Sequence, residues 1–266
     1  MLSLVSQNFL HALRSRLLLI VITFSLALHY LSLKLVNGLK FINQGTASVL
    51  GVKEALFGAV YIHLFIGIFV AAIYGIWMVP YLHTGRRALL TCTMPVSKWK
   101  YPLSYAVLLT ALILAETGIM WVTFGMAFGW KEFASQTFPW ASLLVTLLLE
   151  LLAFNSIMMG LAFCSLSFGA LPSFFIGIFY FFVTQASGVF SRVAAFSGTV
   201  VDDSPWFKVL SKLPPTGELV FQIKQTFRQA EYDYQHYALW AIWWVIFTAL
   251  FIVKLKYPQR PNKSEN

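Results

Sequence analysis

The chain has 266 residues, of which 59% are apolar and only 11% are charged, against about 25% charged residues in an ordinary soluble domain. This composition, with a mean hydropathy of +0.73, excludes the water-soluble classes and predicts an all-α polytopic membrane protein. Apolar runs such as residues 143–152 do not alternate with polar residues, which excludes an outer-membrane barrel. The net charge of +9 comes from patches that flank apolar segments, so nucleic acid is not an expected partner.

The first 16 residues have the spacing of an amphipathic helix, with Phe9 and Leu13 on its apolar face. They predict an interfacial helix, in contact with membrane lipid, that leads into the first span. The apolar run at residues 17–28, preceded by two arginines, is also typical of a signal peptide with Ser25 and Ala27 at a cleavage site. The apolar stretch continues past Tyr30, which favours an uncleaved span.

Five further spans are predicted at residues 55–80, 101–129, 141–167, 171–189 and 237–255. Six spans place both termini on one side of the membrane. With the termini inside, the inner segments hold ten Lys and Arg and the short outer loops hold four. The other five lie in a long outer connection, residues 190–237, where charges have less influence on orientation. We therefore expect a bacterial inner-membrane protein with cytoplasmic termini, consisting of one transmembrane domain (residues 1–257) and a disordered tail (258–266).

The segment between the second and third spans, residues 81–100, is the most informative part of the chain. It has a glycine turn at Gly85, a short basic amphipathic piece, and Pro95 shortly before the next span. Such a segment lies along the inner membrane surface and offers a cationic face to a cytosolic partner. The alternative is an ordinary positively charged loop that only sets the orientation of the spans.

This hairpin resembles the coupling hairpin of the permease subunits of type-two ABC transporters, the six-helix exporter class. In that family a glycine, a leucine-rich stretch and a Pro-Val-Ser-Arg motif follow the second span, and the hairpin docks on the ATPase subunit. Arg86 stands where the family has threonine. The residues that the resemblance assigns to ATPase coupling, together with the two arginines, are Gly85, Arg86, Arg87, Leu89, Leu90, Pro95, Val96, Ser97 and Lys98.

The resemblance implies the permease subunit of an ATP-driven exporter. Two copies, or this chain and a similar permease, would form the pathway, and a pair of cytosolic ABC ATPases would drive it. The chain would then be no enzyme and hold no cofactor, because ATP and Mg²⁺ would be bound by the ATPase. Two alternatives remain open: a proton-coupled secondary transporter, and a membrane component that transmits ATPase motion to an envelope machine.

Two acids in predicted spans, Glu116 and Glu150, are candidates for the transport pathway. An acid at the centre of a span costs about 2.5–3.5 kcal/mol, so we expect both to face the bundle interior at similar depth. Either they hold helices together, protonated or bonded to groups such as Thr117 or Asn155, or they line a path for a cationic or hydrogen-bonding substrate. The five histidines form no HExxH-type pair and the two cysteines have no metal-ligand spacing, so no metal site is predicted.

Overall fold

The computed structural model describes residues 5–10, 16–42, 52–83, 97–128, 140–197, 219 and 234–256. This part of the chain is almost entirely helical and contains no strand. Residues 5–10 are helical, and Tyr74–Met78 form a π-helical turn. The longer elements are α1 (Leu17–Ile42), α2 (Val52–Ile73), α3 (Val79–His83), α4 (Lys100–Phe128), α5 (Trp140–Phe168), α6 (Ala170–Ser197) and α7 (Tyr234–Lys256).

Four stretches of these helices are long and apolar enough to cross a membrane: Val60–His83, Lys100–Thr123, Leu144–Phe168 and Tyr237–Leu255. Two shorter apolar stretches, Leu19–Leu31 and Ala170–Thr184, lie in α1 and α6. The molecule is therefore an α-helical membrane protein, as the composition predicts.

Helix α5 lies at the centre of the bundle, where it packs against α2, the π turn, α4, α6 and α7. Its side chains Ala153, Phe154 and Met158 are fully buried. Two hydrogen bonds tie α7 to it: the Ser156 hydroxyl donates to the Trp240 carbonyl oxygen at 3.0 Å, and the Tyr237 hydroxyl donates to a carbonyl oxygen of α5 at 3.0 Å. Because α5 contacts nearly every other helix, it positions the groups in the interior.

The close approach of the π turn to α5 depends on Gly75. A Cβ atom at this position would lie 2.5 Å from the carbonyl oxygen of Met158. That neighbour is backbone, so it cannot turn away as a side chain could. Small residues at such crossings let membrane helices approach closely, and Gly75 has this role here.

The π turn lies one turn before Pro80, which is a proline inside the helical run. Proline has no backbone N–H, so Pro80 cannot donate the usual hydrogen bond to the carbonyl oxygen of Ile76. The hydroxyl of Ser165, on α5, donates to that oxygen instead, at 2.8 Å. A polar side chain of a neighbouring helix thus satisfies the backbone group that the proline leaves free.

Helices α5 and α6 are joined by a single residue, Gly169. Its φ angle is +91°, a conformation that costs other residues about 1–2 kcal/mol. Its N–H donates to the carbonyl oxygen of Ser165 at 2.9 Å and closes the last turn of α5. Glycine therefore permits the abrupt reversal between these two helices.

The described helices overlap the six predicted spans, and two of them continue well beyond the predicted ends. Helix α1 continues past the predicted apolar run at residues 17–28 to Ile42. Helix α6 continues past residue 189 to Ser197, because residues 190–197 contain neither proline nor glycine and Gly198 follows directly. Helix α7 begins at Tyr234, three residues before the predicted span. The rest of the outer connection apart from Leu219, the tail 258–266 and most of the predicted interfacial helix lie outside the described residues.

Candidate functional site

Four ionisable side chains meet in the interior of the bundle. They are His29 of α1, His63 of α2, Glu116 of α4 and Glu150 of α5, and we call them the His–Glu cluster. Each residue is at most 3% exposed. Each comes from a different helix, so the cluster connects four helices through side chains that are costly to bury.

The carboxylate of Glu116 lies between two imidazole rings. Its Oε1 atom is 2.6 Å from Nε2 of His29, and its Oε2 atom contacts Nδ1 of His63. The other nitrogen of His63, Nε2, is 3.3 Å from Oε2 of Glu150. The contacts therefore run in one line, from His29 through Glu116 and His63 to Glu150.

The cluster lies near the middle of its helices. Glu150 is ten residues from the start of α5, and Glu116 is twelve residues from the end of α4. At 1.5 Å per residue these positions are about 15 and 18 Å from the helix ends. The interior position predicted for both acids is confirmed, and their role as pathway residues stays a prediction.

The partners suggested for the acids from the sequence were wrong. The Thr117 hydroxyl donates to the carbonyl oxygen of Ile113 at 2.8 Å and is 3.4 Å from Nε2 of His63. The Asn155 amide donates to Thr110 at 3.3 Å and to a carbonyl oxygen of its own helix. Asn155 follows Glu150 by five residues, which places it about 140° around α5 from the acid.

Two cluster atoms and one neighbouring hydroxyl lack a hydrogen-bond partner among the described residues. Nδ1 of His29 and Oε1 of Glu150 are the two free ends of the line, and both are buried. The hydroxyl of Ser25, one turn before His29 on α1, is also unpartnered. The line therefore ends in groups that are able to exchange a proton with a further donor or acceptor.

The cluster does not have the arrangement of a metal site. Within the described ranges, no group of three or more His, Cys, Asp or Glu side chains could hold a metal ion. The nitrogen and oxygen atoms of the cluster contact one another directly. Their chemistry is consequently that of hydrogen bonds and proton exchange.

A second group of polar residues lies where α3 ends and α4 begins. Nε2 of His83 is 2.6 Å from the hydroxyl of Tyr105, and the His83 ring packs edge-on against Tyr101 and Phe251. In the same region, the Asn8 amide donates to the hydroxyl of a serine on α4 at 3.0 Å. The end of α3 and the start of α4 are thus held side by side.

Only two of the predicted ATPase-coupling residues lie in the described part of the chain. Ser97 is exposed just before α4, and Lys98 is half-buried with its ammonium 5.9 Å from the centre of the Tyr101 ring. The remaining predicted residues fall outside the described residues: Gly85, Arg86, Arg87, Leu89, Leu90, Pro95 and Val96.

An apolar cavity of about 420 Å³ lies between α2, α5, α6 and α7. Aromatic side chains form much of its wall, among them Phe69, Phe181, Trp240 and Phe247. No charged residue lines it within the described part of the chain. Such a lining suits acyl chains or another apolar molecule.

Sequence reasoning found the two acids of the cluster and missed the two histidines. We considered histidine only in metal-binding motifs, where His29 and His63 have no partner at a suitable spacing. The position of these two histidines could have revealed them. Each is an ionisable residue inside a long apolar run, and burying such a side chain in a membrane is costly unless it has a partner.

Comparison of the chain with protein-family models, with curated proteins and with solved structures finds no match. Its function is therefore argued from its own residues.

Proposed function

We propose that the chain is the membrane-spanning permease subunit of an ATP-driven ABC exporter in the bacterial inner membrane. It has six spans and cytoplasmic termini, and it pairs with a second copy or a similar permease to form the pathway. A pair of cytosolic ATPases binds ATP and Mg²⁺ and drives transport. The chain itself holds no cofactor and catalyses no reaction.

Helix length supports the count of six spans. Helices α1 and α6 have 26 and 28 residues. At 1.5 Å per residue they are about 39 and 42 Å long, more than the hydrocarbon core of about 30 Å. Large apolar side chains such as Leu19 and Phe179 are exposed on them, as expected of surfaces that face lipid.

The observation that carries the proposal is the junction between α3 and α4. His83, the last described residue before the hairpin, contacts Tyr101 and Tyr105 of α4, so the two described ends of the hairpin lie close together. The 13 residues between His83 and Ser97 include Arg86 and Arg87. A short basic segment anchored at both ends by packed helices is suited to transmit a push from a docked ATPase to two spans together.

Charge reversal in the hairpin tests this proposal. We expect the tagged full-length chain, purified from its native membranes, to bring with it an ATPase subunit that contains a P-loop. The substitutions Arg86→Glu and Arg87→Glu together should lower the recovered ATPase by about tenfold, because they reverse the charge of the docking surface. Quantitative mass spectrometry of the purified sample measures this ratio.

The matched control is Arg260→Glu with Lys263→Glu, which makes the same change of charge in the C-terminal tail. This variant should recover the ATPase at the wild-type level. If the hairpin variant retains the ATPase in full, with unchanged ATP hydrolysis, the docking surface is not there and the proposal fails.

A second candidate function is a proton-coupled secondary transporter, which the His–Glu cluster favours. Carboxyl and imidazole groups buried in spans are the groups that carry protons in such transporters. The same purification separates the two functions. An ATP-driven permease brings a stoichiometric ATPase with it, whereas a secondary transporter brings none.

A further inference from the structure

The order of atoms in the His–Glu cluster permits a proton count. Three nitrogen–oxygen contacts link the residues in the order His29, Glu116, His63, Glu150. Each contact is a hydrogen bond only if one proton lies between its two atoms. Neutral imidazoles and ionised carboxylates together carry two protons, one on each ring, which is one too few for three contacts. The two contacts of Glu116 are hydrogen bonds, whereas His63 and Glu150 are in ion-pair range at 3.3 Å and form a hydrogen bond when α2 and α5 approach further. The cluster therefore binds additional protons when all three contacts are hydrogen bonds.

With four protons the cluster has no net charge, and two arrangements leave every group neutral. In the first, the proton of His29 is on Nδ1, and Nε2 of His29 accepts from Oε1 of Glu116. His63 donates from Nδ1 to Glu116, and Glu150 donates from Oε2 to Nε2 of His63. In the second, His29 and His63 donate from Nε2, Glu116 donates from Oε2, and Glu150 carries its proton on Oε1. Both arrangements fill all three contacts, and neither places a charge in the membrane interior, where ionised groups are costly.

We propose that the His–Glu cluster is a proton-binding site and a relay that passes a proton between Glu150 and His29. When the cluster changes from the first arrangement to the second, Oε1 of Glu150 takes up a proton and Nδ1 of His29 releases one. Each of the three intervening protons moves across its own contact toward His29, so protons balance and no charge remains. The two atoms that exchange protons are the two buried atoms of the cluster that lack a partner among the described residues.

The neighbouring helices leave this relay free of other charges. The sequence of α6 has no charged residue before Arg192, and that of α7 has none between Tyr237 and Val253. Beside the cluster, the Thr117 hydroxyl gives its proton to the Ile113 carbonyl oxygen, so it can only accept from Nε2 of His63. This favours the second arrangement, in which that nitrogen carries a proton.

The longest contact of the relay is the 3.3 Å separation between His63 and Glu150, which joins α2 to α5. Two glycines permit the close approach to α5: Gly67 of α2, beside the Phe154 ring, and Gly75 of the π turn that follows α2, beside the Met158 backbone. A shift of α2 against α5 therefore opens or closes the relay. The inference holds whether ATP or a proton gradient drives the protein, so it stands apart from the proposed function.

Infrared spectroscopy of the purified full chain in lipid tests the site. We expect C=O stretching bands of two protonated carboxyl groups at neutral pH. Glu116→Gln should remove one band and Glu150→Gln the other. If the wild-type protein shows no protonated-carboxyl band at neutral pH, both acids are ionised and the proposal is overturned, whatever the variants do.

Exchange of the Glu116 band after transfer to D₂O tests the relay. Glutamine keeps hydrogen bonding but cannot shuttle a proton as imidazole does. His29→Gln with His63→Gln cuts both routes to Glu116, and we expect exchange to slow by on the order of tenfold or more. His236→Gln, at the start of α7 and outside the cluster, is the control and should leave the rate unchanged. Should the double variant not fold, His29→Gln and His63→Gln are measured singly, and at least one of them must slow exchange measurably. Exchange at the wild-type rate in a folded variant would exclude the relay.

Discussion

Glu116 contacts imidazole rings from two other helices, so its carboxyl group supports the positions of α1, α2 and α4 together. Removing it leaves two buried nitrogens without a partner, which costs more than the loss of the bonds alone. Replacing it by a group of similar shape keeps part of the network. The chemistry of this one side chain should therefore be visible in stability as well as in proton binding.

We expect Glu116→Ala to destabilise the protein by about 3 kcal/mol or more, and Glu116→Gln by about 1 kcal/mol. The glutamine still offers one donor and one acceptor to the two rings. Thermal unfolding of the purified chain in one detergent measures both variants. Equal losses for alanine and glutamine would mean that packing, and not hydrogen bonding, determines the stability at this position.

The depth and burial of Glu116 and Glu150 were predictable because the cost of an acid in lipid depends mainly on its position along a span. The residues that these two acids contact were not predictable from the sequence. The helices are apolar on nearly every side, so the sequence does not show which face of α1 or α2 turns inward. His29 and His63 became visible as partners of an acid only when the rotation of the helices was known.

At the scale of elements, Pro80 and Ser165 act as a pair. The proline removes the usual i+4 backbone donor to the Ile76 carbonyl oxygen, and the serine hydroxyl of α5 donates to that oxygen. The pair joins the segment formed by α2, the π turn and α3 to the central helix α5. Sequence analysis placed Pro80 at the end of a span, whereas the helix continues through it to His83, because the free carbonyl finds a partner on another helix.

We expect Ser165→Ala to cost about 1–3 kcal/mol, because it removes the buried hydroxyl that donates to the Ile76 carbonyl oxygen. In a Pro80→Ala background the same change should cost less, since alanine, unlike proline, has a backbone N–H that can bond to the Ile76 carbonyl oxygen. Thermal unfolding of the two single variants and the double variant gives this coupling, with Ser167→Ala as the control. Additive losses would show that the serine and the proline act independently.

For the molecule as a whole, the six helical segments were predictable from apolar length, with ends accurate to within a few residues except at the C-terminal ends of α1 and α6. The arrangement of these helices around α5 was not predictable, because a single sequence does not show which apolar side chains of one helix pack against another helix. The pairing of spans depends on details such as Gly75, which looks like any other glycine of a membrane helix until its neighbour is known.

The proposed permease has half of a transport pathway, so we expect two such subunits in the working protein. Native mass spectrometry of the complex should give two permease chains for each assembly, either two copies of this 30.1 kDa chain or one copy and a similar permease. The measurement needs mild detergent, and dissociation at higher detergent serves as its control. A complex with a single permease chain of any kind would contradict the assembly.

Helices α5 and α6 are joined by Gly169 alone, so this residue acts as a pivot between them. The two helices cannot move apart at the pivot. Any change in the angle between them therefore displaces their residues by an amount that grows with distance from Gly169. The apolar cavity is lined by α5 and α6, together with α2 and α7, and Phe182 is its α6 lining residue furthest from Gly169. Phe182 is 13 residues from Gly169, or about 20 Å at 1.5 Å per residue, so a change of about 5° in the angle between the two helices would move it by about 2 Å. The angle at Gly169 therefore sets the width of the cavity on its α6 side, more strongly at Phe182 than at lining residues nearer the joint.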